Sequence, residues 1–101
     1  MFNRLMIAAA AVVLTAPLAV AGPIDSACNR SERTASSRQL CNCIQQVADM
    51  TLSRADQRRA AGFFRDAQQA QDVRMSKSAS DNQFWDRYKN FAAAAEAYCA
   101  R

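Results

Sequence analysis

The chain contains no histidine, only two glycines and two prolines, and a single tryptophan. Without histidine it lacks the commonest general base, which excludes His-containing triads and zinc sites with His ligands. Scarce glycine argues against phosphate-cradling loops, and neither G-x-G-x-x-G nor G-x-x-x-x-G-K-[ST] occurs. No S-x-x-K or G-x-S-x-G nucleophile motif is present either. Asp81, Asp86 and Glu96 are the acids of the C-terminal stretch, and no two stand one helical turn apart. These absences lead us to expect no enzyme activity, no cofactor and no metal.

Large apolar side chains are also scarce once their distribution is considered. Residues 1–21 are apolar at 17 positions. The following 80 residues hold 34 apolar positions, of which fifteen are alanine and four cysteine. Fifteen large apolar side chains make a thin core for one domain, and the length of 101 residues allows no more than one.

The first 21 residues read as a signal peptide. Arg4 supplies a positive start, Leu5 to Leu14 is an unbroken apolar run, and Thr15 and Pro17 interrupt it. Ala19-Val20-Ala21 then gives the small-x-small pattern of a cleavage site. A retained anchor is the weaker reading, because the run is short and broken by proline. A lipoprotein is disfavoured by Asp25, which stands where a lipobox requires leucine before Cys28. The expected destination is the periplasm or the exterior, with no membrane-integral part after cleavage. The processed chain would carry twelve cations and nine acids, a mild and evenly mixed +3 that does not suggest nucleic acid.

After Pro23 there is no proline, and Gly62 is the one remaining glycine. Nothing alternates at period two, so the pattern is all-α. Residues 22–36 read as an irregular arm, with Gly22-Pro23 and little apolar periodicity. Residues 37–101 read as a disulfide-stabilised helical domain. A first helix is expected over 37–50, with Leu40, Ile44 and Val47 on one face. A second begins after Ser53, which with Asp56 resembles a capping box, and runs to 73–75 with Ala60, Phe63, Phe64, Ala67 and Ala70 as its stripe. A third starts at Ser80 as N-cap, with Gln83 completing a box, and carries Phe84, Tyr88, Phe91, Ala95, Tyr98 and Cys99 on one face. The expected fold is a small three-helix bundle with an irregular arm and two disulfides.

Four cysteines in an exported chain of this size point to two disulfides. Cys41 and Cys43 are two residues apart on a helix, so their side chains diverge by about 200° and cannot pair. Each must therefore reach one of Cys28 and Cys99. Two pairings satisfy this, Cys28–Cys41 with Cys43–Cys99 or Cys28–Cys43 with Cys41–Cys99, and the first is only slightly favoured. Redox and zinc chemistry usually use C-x-x-C, which is absent here.

Two constellations could bind. Arg54, Arg58 and Arg65 fall within about 40° of each other on the second helix, a stripe suited to an anion such as a phosphate or carboxylate. The plainer account is a solvated face whose charge Asp56, Asp66 and Asp72 offset, with Asp72 on the stripe itself. Phe84-Trp85-Asp86-Arg87-Tyr88-Lys89 mixes aromatic and basic residues. Periodicity places Phe84 and Tyr88 in the core and leaves Trp85 at the rim.

The segments Ala27-Cys28-Asn29-Arg30, Leu40-Cys41-Asn42-Cys43-Ile44-Gln45-Gln46-Val47-Ala48-Asp49-Met50-Thr51-Leu52, Asp56-Gln57-Arg58-Arg59-Ala60-Ala61 and Phe84-Trp85-Asp86-Arg87-Tyr88 together carry a resemblance. The chain resembles a family of small exported bacterial proteins labelled "arginine transporter". The resemblance implies a bacterial source and the periplasm, and it assigns no catalytic or binding residue. A permease needs several membrane spans, so any part in arginine transport would be accessory. The expectation is a non-enzymatic binding or interaction protein, with an envelope protein or a small anionic ligand as partner. A stress-response or chaperone-like helper is the alternative.

Overall fold

The computed structural model describes residues 22–31 and 37–99, so the signal-peptide reading of residues 1–21 lies outside the described residues. Those described are all-helical, with no strand among them. The helices are α1 (Pro23–Arg30), α2 (Arg38–Thr51), α3 (Arg54–Arg65), α4 (Ala67–Arg74) and α5 (Ala79–Cys99).

The irregular arm is corrected over 23–30, which form α1. Proline at the first helical position needs no N–H there, Asp25 sits in the first turn and Arg30 in the last. Ile24, Ala27 and Cys28, spaced i, i+3, i+4, are buried. Eight residues are too few to hold a helix alone. Tertiary packing holds this one, between α2 and α3, with Ile24 fully buried.

The first expected helix is α2, capped by the Ser37 hydroxyl, which accepts from the Leu40 N–H at 3.1 Å. Leu52 ends it, and Ser53 caps α3 by accepting from the Asp56 N–H at 3.1 Å.

The second expected helix is two helices, which corrects the three-helix bundle. Asp66 adopts an extended conformation, φ −147° and ψ 98°, and serves both sides of the break. Its N–H donates to the Gly62 carbonyl at 2.9 Å and closes α3. Its carboxylate accepts from the Gln68 N–H at 3.0 Å and opens α4. A short acidic side chain competes with the helical ladder for backbone donors in just this way.

The last helix starts two residues earlier than expected. Ser78, not Ser80, is the capping residue: its hydroxyl accepts from the Asp81 N–H at 3.0 Å, and its carbonyl from the Asn82 N–H.

The core gathers Ile24, Val47, Ala48, Leu52, Ala60, Phe63, Phe84 and Phe91. Phe63 meets Phe84 at 6.0 Å and Tyr88 at 5.0 Å between ring centroids, both edge to face. Such pairs add about 0.5–1.5 kcal/mol each beyond the area they bury. Tyr98 departs from the expected core stripe and is 72% exposed. Cys28 is bonded to Cys41 and Cys43 to Cys99, with Cα–Cα distances of 5.6 and 5.8 Å. Both ends of the described chain are thus stapled to α2.

Candidate functional site

The charges of α3 divide between two faces. On the side toward α5 they are paired. The Arg59 guanidinium donates to Asp81 at 2.5 Å and lies 4.6 Å from the centre of the Phe84 ring. Arg87 donates to both carboxylate oxygens of Asp56, at 2.6 and 3.1 Å. The hydrogen bond from Arg59, then that from Ser76, holds the Asp81 carboxyl below its ordinary range. Asp56 in turn raises the Arg87 guanidinium.

On the side toward α1 the charges are not paired. Arg58 and Arg65 line a cleft of 280 Å³ between α1 and α3, and Arg30 of α1 faces it from across the seam. Pro23, Ser26, Ala27 and Ala61 also line it, and among the described residues no carboxylate does. Ala27 and Ala61 are buried and small, so the two helices approach closely and leave room above the seam.

The acids expected to offset the arginine stripe are engaged elsewhere. Asp56 binds Arg87. Asp66 caps α4. Asp72 would continue the stripe only on an unbroken helix. The break at Asp66 removes it, and it accepts from Gln68 Nε2 at 3.0 Å within α4. Among the described residues no ion pair involves Arg30, Arg58 or Arg65.

The structure therefore brings together two of the three predicted arginines. Arg54 is exposed and does not line the cleft. Arg30 was missed because it fell in the presumed arm; the i, i+3, i+4 spacing of Ile24, Ala27 and Cys28 after Pro23 was the signal that placed it on a helix.

What fixes α1 opposite α3 is a buried amide network that sequence reasoning also missed. Gln45 Oε1 accepts from the Asp25 N–H at 2.9 Å. Gln45 Nε2 donates to Gln57 Oε1 at 2.7 Å and to Asp49 at 2.8 Å. Gln57 Nε2 donates to Asp49 and to the Leu52 carbonyl. A Cβ on Gly22 would collide with the Gln45 carboxamide, so glycine is needed there for close approach.

Trp85 is half-buried at the rim of the aromatic cluster, 5.2 Å from the Tyr88 ring and nearly parallel to it. The cations beside it are occupied, Arg87 by Asp56 and Lys89 by Asp86 at 3.6 Å. A second depression of 170 Å³ lies where α3, α4 and α5 meet, lined by Phe63, Phe64, Ala67, Ala70, Gln71 and Tyr88.

All four cysteines are in disulfides. Among the described residues no three His, Cys, Asp or Glu side chains are grouped to hold a metal. No described helix is long and apolar enough to cross a membrane. No family model, curated protein or solved structure matches the chain.

Proposed function

We propose that the chain is an exported, non-enzymatic binding module of the bacterial periplasm whose α1–α3 cleft takes a small anionic ligand. One observation carries this reading. Among the described residues, Arg30, Arg58 and Arg65 share a cleft that no carboxylate lines, while Asp56 and Arg59 of α3 are paired. Uncompensated guanidiniums around a concavity attract anions and offer them forked hydrogen bonds. Two disulfides support an oxidising compartment. The resemblance to the family labelled "arginine transporter" supports the periplasm and an accessory place in solute transport. The cleft's charge nevertheless opposes arginine as its occupant, because the ligand's own guanidinium would enter a ring of like charge.

The test is a thermal-shift series at low ionic strength. A ligand that binds the folded state raises the melting temperature in proportion to the logarithm of its concentration. Small anions should do so and arginine should not. The reading fails if no anion shifts the transition.

A chaperone-like helper is the second reading. It rests on Met50, Met75 and Tyr98, which are 75%, 74% and 72% exposed, and on the depression beside Phe64. Light scattering of an aggregating client, with and without the protein at low pH, separates the two.

A further inference from the structure

If the α1–α3 cleft is an anion site, the chemistry of its lining narrows the anion, and we infer that it recognises a phosphate group. The lining is almost wholly donor. Each guanidinium offers five N–H groups and accepts nothing. Among the described residues Ser26 supplies the one side-chain hydroxyl, and no carboxylate or carboxamide lines the cleft. A zwitterionic amino acid would bring an ammonium with no acidic group among the described lining residues to meet it.

A monocarboxylate is satisfied by one guanidinium fork and offsets one charge of three. A phosphate monoester carries about −1.5 to −2 charges at neutral pH and three strong acceptor oxygens. It therefore matches three cations better than a carboxylate can. The sources of the cations allow this convergence. Arg58 and Arg65 are seven residues apart, about 10 Å along the helix axis. Ala61 lies between them, three residues from one and four from the other, so both side chains rise from one face around a low floor. Arg30 closes the third side from α1, over Ser26 and Ala27.

Size sets a further limit. At 280 Å³ the cleft falls just below the usual range of ligand sites, about 300–1,000 Å³. It accommodates a phosphorylated small molecule, or the phosphate end of a lipid headgroup, rather than a polymer. Guanidinium rather than ammonium at all three positions fits forked recognition of phosphate oxygens.

Titration calorimetry on the disulfide-bonded protein at low ionic strength tests the inference. The probes are inorganic phosphate, glycerol 3-phosphate, succinate and arginine. A phosphate probe should bind at least about tenfold more tightly than succinate, and arginine should not bind. Arg58→Gln and Arg65→Gln should each weaken the phosphate probe about tenfold or more, the scale of a lost charged hydrogen bond. Arg58→Lys should lose severalfold, because charge remains without the fork. Arg54→Gln removes the same charge from the same helix outside the cleft, and should change affinity less than about twofold.

Sedimentation with vesicles of phosphatidylcholine, with and without phosphatidic acid, separates the sources. Retention by the acidic vesicles that Arg58→Gln abolishes identifies a lipid phosphate, and binding of free glycerol 3-phosphate alone identifies a soluble one. Succinate binding as tightly as phosphate, with Arg58→Gln weakening both, would overturn the phosphate assignment and leave the anion cleft standing. No binding by any anion, or equal losses from Arg54→Gln and Arg58→Gln, would remove the cleft as well.

Discussion

Gln45 and Gln57 meet amide to amide, Nε2 of Gln45 donating to Oε1 of Gln57 at 2.7 Å, and both are buried. Through this pair α1, α2 and α3 share one hydrogen-bond network. The backbone of Asp25 enters it from α1, and Asp49 accepts from both glutamines. No buried side-chain polar atom among the described residues is left without a partner. Buried amides are costly when half-satisfied, so the network either holds complete or penalises the fold.

Gln45→Ala should therefore destabilise the domain by about 2–3 kcal/mol, because it strands the Asp25 N–H and a Gln57 acceptor. Urea unfolding followed by the fluorescence of Trp85, the one tryptophan, would read the change in midpoint. A loss below about 0.5 kcal/mol would mean that water enters and replaces the amide.

Gly62 offers the opposite sign. It lies inside α3 and is buried, and its φ is not positive. An added Cβ would crowd the tip of the Gln69 side chain, which is exposed and free to swing aside, and would meet Arg65 Nη2 at an ordinary 3.8 Å. Alanine is the better helix former by about 0.5–1 kcal/mol. Gly62→Ala should raise the urea midpoint by an amount within that range, and a lowered midpoint would mean that Gln69 cannot move.

The Arg59–Asp81 pair makes a pH prediction. Asp81 binds its proton more weakly when folded than its ordinary value of 3.8 implies. Its contribution is then complete above that value and is lost as the pH falls through the lowered one. The difference in melting temperature between wild type and Asp81→Asn should be widest above about pH 5 and should shrink as the pH falls below 3.8. Salt should narrow it as well, since the arginine is 41% exposed. A difference that persists in acid would show that the carboxylate's charge is not what Asp81 contributes.

The helices and the cysteine logic were legible because they depend on local periodicity. Leu40, Ile44 and Val47 marked α2, and the divergence of Cys41 and Cys43 excluded their pairing. Which of the two reached Cys28 depends on the side of α2 that α1 occupies, and that is set by the burial of Ile24 and the Gln45–Asp25 bond. No helical wheel contains this. The break at Asp66 was hidden because aspartate is tolerated in helices and capping there requires a particular backbone turn. That one error carried Asp72 onto the arginine stripe and made the stripe look neutralised. Arg30 was not legible as a cleft residue because its helix is too short to assert itself by pattern.

The two disulfides should separate stability from binding. Cys43–Cys99 spans 56 residues and Cys28–Cys41 spans 13. In the chain-entropy account the longer closure contributes about 4 kcal/mol and the shorter about 3. Replacing both Cys43 and Cys99 with alanine should therefore cost more stability than replacing both Cys28 and Cys41. Anion affinity should show the reverse order. Cys28 lies one half-turn from Arg30 on α1, so its bond to Cys41 keeps that guanidinium opposite Arg58 and Arg65. Cys99 ends α5, which lines no part of the cleft. Urea midpoints and phosphate titrations on the two double-alanine variants measure both quantities on folded protein. Alkylation of a Cys28→Ala variant adds the assignment of partners, since the freed thiol should be Cys41 and not Cys43. Should the Cys43/Cys99 variant lose more affinity than the Cys28/Cys41 variant while still folded, the cleft is not built by α1 and the anion site lies elsewhere.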